Sequence, residues 1–185
     1  MSTLHSFPSL TALEGLQSLR GLRYLQVFGC PRLPLFLERL SGQVSDLFPR
    51  LERLQIDDYS FLTTSFCNHL TSLQCLVLQM DMYFNNAEGL TGEQDRALHL
   101  VTSLQDLEFS LCCELVDLPV CLHSLPSLKR LEIICCQRIS RLPEKGLPPS
   151  LEELEIGGCS EELTSKCRML ATSMLKVKID GHYVN

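Results

Sequence analysis

The sequence predicts an α/β repeat fold: a curved, horseshoe-like solenoid with a concave parallel β-sheet of about seven short strands and mostly irregular convex returns. Three observations carry this expectation. A frame of the form Leu-x-x-Leu-x-Leu-x-x-Cys recurs seven times along the chain. Successive copies lie 29, 22, 31, 24, 23 and 23 residues apart, and periods of about 20–29 residues with this internal spacing are those of leucine-rich repeats. Prolines punctuate the segments between copies, at Leu118-Pro119, Leu142-Pro143 and Pro148-Pro149, where sheet interior is ruled out.

The copies run in order. Leu22, Leu25, Val27 and Cys30 form the first, followed by Leu51, Leu54, Ile56 and Tyr59, then Leu73, Leu76, Leu78 and Asp81. Next come Leu104, Leu107, Phe109 and Cys112, then Leu128, Leu131, Ile133 and Cys136. Leu151, Leu154, Ile156 and Cys159 make the sixth, and Met174, Val177, Ile179 and His182 a weaker seventh. The two apolar residues flanking a single x share the inward face of a short strand, where the side-chain period is two. The preceding leucine and the closing cysteine turn into the same interior, the cysteine meeting backbone groups in the turn. One repeat cannot bury its own apolar face, so neighbours must stack to build a core.

Between the strands, short helical turns are expected around residues 34–39 and 161–171. Insertions at 57–69 and 82–99 account for the two long intervals and read as surface loops. Residues 8–13 look like half a repeat. The organisation is therefore one domain over 1–185: a degenerate or truncated repeat at 1–15, seven repeats at 16–182 and a tail at 183–185. Neither end shows an obvious polar cap, and the N-terminal end reads as a cut through a longer protein.

Composition narrows the function. An apolar content of 45% with 21% charged residues is that of a folded chain. A net charge of -6 and the absence of tryptophan argue against nucleic acid as a partner. No apolar run is long enough to span a membrane. A secretory signal and an Asn-x-Ser/Thr sequon are both lacking, so a cytoplasmic (or nuclear), non-secreted protein is expected. The ten cysteines include no Cys-x-x-Cys pair and read as reduced, mostly buried thiols, four of them closing the repeat frame. The doublets Cys112-Cys113 and Cys135-Cys136 should point neighbouring thiols to opposite faces of a strand. The five histidines are scattered, His182 reading as a turn residue of the last copy. No metal, cofactor or catalytic group is expected, and the reading is non-enzymatic.

What remains exposed is the set of x positions. The central one in each copy is Gln26, Gln55, Val77, Glu108, Glu132, Glu155 and Lys178. Three glutamates should thus stack on neighbouring strands about 5 Å apart, repelling by about 1–3 kcal/mol per pair. Glu152 and Glu153 extend this patch, while Lys129 and Arg130 sit beside Glu132 and offset part of it. Two readings fit: an acidic face that meets a basic partner, or a solvated polar face screened by salt and neighbouring cations. Arg23, Tyr24 and Phe28 form a second candidate, an aromatic and arginine anchor of an interface or packing against upstream repeats. Met80, Leu111 and Ile134 form a third, exposed and apolar beside the strand exits.

The extended frame L-x-x-L-x-L-x-x-C-x-x-L-x-x-L-P at residues 104–119 and 128–143, the linker LPEKGLPPSLEELEIGGC and the closing KCRMLATSMLKVKIDG resemble the leucine-rich-repeat region of plant nucleotide-binding disease-resistance proteins (NB-LRR proteins). The resemblance covers nearly the whole chain, specific in the last 90 residues and generic in the first 90. The family's NB-ARC ATPase module is not matched, since no G-x-x-x-x-G-K-[ST] loop occurs, so nucleotide switching does not carry over. For the repeats, the resemblance implies protein partners: pathogen effectors, guarded host proteins, or the receptor's own NB-ARC and coiled-coil domains, restrained until recognition. The L-x-G-x-I-P pattern of secreted and receptor-type plant repeats is absent. Substrate adaptors of F-box-type ubiquitin ligases also place cysteine in this slot, but in more regular repeats; a free-standing repeat scaffold is a third alternative.

Overall fold

The computed structural model of this protein describes residues 2–5, 21–30, 34, 35, 37, 48–80 and 88–184. Nine strands form one open, mostly parallel sheet in strict chain order. They are β1 (Ser2–His5), β2 (Tyr24–Phe28), β3 (Arg53–Ile56), β4 (Cys75–Gln79), β5 (Asp106–Ser110), β6 (Arg130–Ile134), β7 (Glu153–Gly157), β8 (Lys176–Ile179) and β9 (His182–Val184). Strands β1 to β8 are parallel, and β9 runs antiparallel to β8. Parallel neighbours need crossovers. Among the described residues, these returns hold helical residues at Pro34, Leu35 and Leu37, the short α-helices α1 (Thr64–Cys67), α2 (Gly92–His99) and α3 (Glu161–Arg168), and 3-10 turns at Tyr59–Phe61 and Val120–Ser124.

The strands are short because each ladder is set by one frame. Leu25, Leu54, Leu76, Leu107, Leu131, Leu154 and Val177 stand in register across seven strands, with Val27, Ile56, Leu78, Phe109, Ile133, Ile156 and Ile179 in the next inward row. All of them are buried in one continuous core. Each fully buried leucine is worth about 1.5–3 kcal/mol relative to exposure, so a one-residue slip, which turns the whole row outward, is heavily disfavoured.

Strand entry repeats just as closely. A tight turn precedes the leading leucine, with Leu51 N–H donating to Phe48 O, Leu73 to Leu70 O, Leu104 to Val101 O and Leu151 to Pro148 O. The carbonyl of the residue after that leucine accepts two amides of the next copy. Arg23 O takes Glu52 and Arg53, Gln105 O takes Lys129 and Arg130, and Lys129 O takes Glu152 and Glu153. Serine hydroxyls tie some of the entry turns together, Ser72 to Pro49 O at 2.8 Å and Ser103 to Leu73 O at 2.8 Å.

Several expectations are corrected. The insertion at 57–69 is ordered into a 3-10 turn and α1, which bury Tyr59, Phe61, Phe66 and Cys67. The second, 82–99, ends in α2, fixed by a capping box between Thr91 and Gln94; residues 82–87 lie outside the described set. Gln94 Nε2 also donates to Tyr59 O at 3.0 Å, so the two insertions hold each other. In the seventh copy Met174 is 82% exposed, and Leu175 packs against the core in its place. Met80 is buried, and of its expected exposed set only Leu111 exceeds a third exposure. The cysteine doublets lie in the turns that follow β5 and β6 rather than within strands. Of the tail expected at 183–185, Tyr183 and Val184 belong to β9, as does His182, the expected turn residue, and residue 185 lies outside the described set.

The helix expected at 161–171 is α3. Of the one expected at 34–39, Pro34, Leu35 and Leu37 are helical and the rest lies outside the described residues, as do the half repeat at 8–13 and Asp81. A strand not foreseen, β1, precedes the first expected copy.

Candidate functional site

Strand residues that alternate with the core rows stand on the opposite face of the sheet. On β2 to β8 they make a leading row, Tyr24, Arg53, Cys75, Asp106, Arg130, Glu153 and Lys176, and a central row, Gln26, Gln55, Val77, Glu108, Glu132, Glu155 and Lys178. The central row has the expected register. One member departs in burial: Val77 is only 2% exposed.

The face is divided chemically along the sheet. On β2 to β4 amides and an aromatic–cation pair stand beside Cys75 and the buried Val77. Gln26 Nε2 donates to Gln55 Oε1 at 2.6 Å, and Gln55 Nε2 donates to Gln79 Oε1 at 2.7 Å. Tyr24 Oη donates to the same Gln55 oxygen at 3.3 Å, and the Arg53 guanidinium lies 5.9 Å from the centre of the Tyr24 ring, within cation–π range. Phe28 closes β2 half-buried, while Arg23 is a rim residue 3.4 Å from Glu52.

On β6 to β8 the side chains form an ion network around Arg130. Its Nη2 lies 3.2 Å from Glu155 Oε2 and 3.8 Å from Glu153 Oε1. Its Nε sits 3.1 Å from Glu132 Oε1 but is not aligned as a hydrogen bond. Lys178 Nζ reaches Glu155 Oε1 at 3.0 Å. Two of the three stacked glutamates, Glu132 and Glu155, therefore have a cation beside them. A cation enters from the leading row of β6 and another from β8, offsetting part of the expected repulsion at Glu132 and Glu155. Burial works against the Arg130 cation, yet Glu132, Glu153 and Glu155 outweigh it and raise its pKa. For Glu132 the balance falls the other way. Partial burial, with Glu108, Glu155 and Asp106 adding to it, raises its pKa despite Arg130. Lys129, expected beside Glu132, instead pairs with Glu152 at 3.6 Å on the exposed strand-entry edge.

Asp106 and Glu108 on β5 complete the face. Among the described residues no Lys, Arg or His comes within 4.0 Å of either carboxylate. Sequence reasoning found the glutamates but not their partners Lys178 and Arg130 as a joint hub, nor the glutamine ladder. The signal for the ladder was the Gln26–Gln55 pairing in the central row, which needed Gln79 from the third row to extend.

The remaining reactive groups are tied into architecture. Cys112 Sγ donates to Leu78 O at 3.3 Å and Ser110 O at 3.4 Å, Cys136 to Ile134 O at 3.3 Å, and Cys159 to Ile133 O at 3.2 Å. Each thiol thus serves a strand-exit carbonyl of its own or the preceding copy. Burial pushes the Cys67 and Cys167 thiols up to about 12, which keeps them protonated and poor nucleophiles. Ser124 Oγ lies 3.3 Å from His99 Nδ1, but it donates at 2.9 Å to Cys121 O, while Asp95 accepts from Cys121 N. That trio ties α2 to the following 3-10 turn. Among the described residues no cluster of three His, Cys, Asp or Glu side chains could hold a metal ion, and no helix is long and apolar enough to cross a membrane.

No protein-family model matches this sequence, and no curated protein matches it either.

Proposed function

We propose that the sheet belongs to a leucine-rich-repeat solenoid and that its polar face is a protein-recognition surface, working in an intracellular plant immune receptor. The partner is a pathogen effector, a guarded host protein or the receptor's own signalling domains, which the repeats restrain until recognition. One observation carries the reading. Across seven strands in register, polar side chains are pre-ordered at both ends of the face, by the amide ladder on β2–β4 and the Arg130 hub on β6–β8, leaving the core untouched. Side chains already fixed lose little entropy on binding, and substitutions on this face change recognition without disturbing the apolar frame. The period of the frame and the resemblance of residues 104–159 to plant disease-resistance repeats set the biological context.

The test uses the chain and its Glu108→Lys/Glu132→Lys/Glu155→Lys variant, both checked for folding by circular dichroism. Each is crosslinked in plant cell extract, and crosslinked partners are mapped by mass spectrometry. The reading expects partners whose crosslinks map to β2–β8 and are lost in the variant. An unchanged partner set with the folded variant would overturn it.

A further inference from the structure

The hydrogen-bond pattern that passes from copy to copy stops in a particular way after β7. In the preceding copies the residue after the leading leucine offers its carbonyl to the next strand, as Arg23, Glu52, Gln74, Gln105, Lys129 and Glu152 do. Leu175 stands where the seventh copy begins its strand, and both its backbone groups are diverted to Thr172. Its carbonyl accepts from Thr172 N at 3.0 Å, and its N–H donates to Thr172 Oγ1 at 2.9 Å.

The body of β8 is closed as well. Asp180 and Gly181, with φ of 47° and 83°, make a two-residue turn of the kind that reverses a strand into a hairpin. β9 then pairs Val177 with Val184, Lys178 with Tyr183 and Ile179 with His182. The turn is anchored to the preceding copy, since Asp180 N donates to Ile156 O at 2.9 Å and Asp180 Oδ1 accepts from Gly158 N at 3.0 Å. Tyr183 Oη reaches Glu153 Oε1 at 3.4 Å, and Val184 packs on the core.

A parallel edge strand is a template for another chain. We infer that residues 172–184 form a terminal stop, whose Thr172 clip and β9 strand keep the β8 edge from pairing with a second copy of this chain. The stop is independent of what the polar face binds. Its three-residue antiparallel strand is the least extensive pairing in the sheet, so it opens before the rest.

The experiment opens the stop in the full chain with Gly181→Val/His182→Pro, His182 being paired with Ile179 where the hairpin closes, and separately with Thr172→Ala. Val is strained at the positive φ of Gly181, and proline removes a β9 amide. Asp180→Asn, which retains the turn conformation, serves as the control. Hydrogen exchange should rise by about tenfold or more at β8 amides while β5–β7 stay protected. Light scattering should then show mass rising with concentration for the double variant, and to a lesser degree for Thr172→Ala. Wild type and Asp180→Asn should remain at monomer mass. A double variant with exposed β8 amides that stays monomeric at every concentration would overturn the inference. Loss of protection throughout β5–β7 would also overturn it, by making the hairpin part of the core fold instead of an edge device.

Discussion

Among the described residues, every non-glycine with positive φ stands immediately after a strand. Gly29, Leu111, Cys135, Gly158 and Asp180 all have positive φ, between 47° and 63°. At each the chain must turn from the sheet into the core within one residue, so that the next side chain, where it is cysteine, meets a strand-exit carbonyl. Glycine adopts this conformation freely, whereas an L-residue costs about 1–2 kcal/mol. A Cβ on Gly158 would also lie 3.2 Å from Cys135 Sγ. Gly158→Ala should therefore lose about 1–2 kcal/mol in urea denaturation, and Cys135→Gly should recover part of that loss. On the opposite face Glu132 makes a pH prediction. Its folded-state pKa is raised, chiefly by burial, so the unfolded chain gives up this proton first. Its ionisation then subtracts stability as pH rises through the ordinary glutamate range to the raised value. Glu132→Gln should melt higher than wild type at pH 7, and the difference should shrink towards zero as pH falls below that range. A variant that melts lower at pH 7 would show that the Arg130 contact outweighs burial.

At the scale of elements, the two insertions are the informative case. Thr91-Gly92-Glu93-Gln94 is the Ser/Thr-x-x-Glu/Gln signature of a helix start, and Thr91 Oγ1 and Gln94 Oε1 satisfy each other's backbone amides at 3.3 and 2.8 Å. Glu93 and Asp95 in the first turn and Arg96 and His99 in the last complement the helix dipole. The helix was legible from those residues, although the period of the strand frame draws attention away from it. Thr91→Ala should cost about 1 kcal/mol, and because Gln94 also holds Tyr59 O, thermal melting should be accompanied by faster exchange in Tyr59–Phe61. The Asp180-Gly181 turn is a second legible signal, an Asp-Gly pair between alternating apolar residues. Forcing His182 into the cysteine slot hid it, because the frame's spacing and the hairpin compete for the same residues.

For the whole molecule, the ten cysteines give a single readout of burial. All are free, with Cys30, Cys67, Cys112, Cys121, Cys136 and Cys167 buried and Cys75, Cys113, Cys135 and Cys159 partly accessible. Brief iodoacetamide treatment of the folded chain should label only that second group, and all ten should label in denaturant, read by mass spectrometry. Native labelling of Cys112 or Cys136 would mean that the interior between copies opens readily. The same buried frame predicts that Leu131→Ala, at the centre of the sheet, costs about 2–5 kcal/mol.

The sequence by itself determined the register. Apolar residues at fixed local spacing must share one face, and seven such copies can bury that face only by stacking side by side. Strand order, the inward rows and the central outward row follow from short-range periodicity, which is why they could be read from Leu25 to Val177. What tertiary structure alone decided lies between copies. Arg130 reaching three carboxylates on its own and the next strand, Lys178 reaching back to Glu155, and Asp180 capping Gly158 depend on side-chain reach across strands. So does the packing of the partly buried Leu175, rather than Met174, against the core, beside the Thr172 clip. Local spacing places a residue on a face, but which neighbour neutralises or closes it depends on distances across strands that the repeat period leaves open.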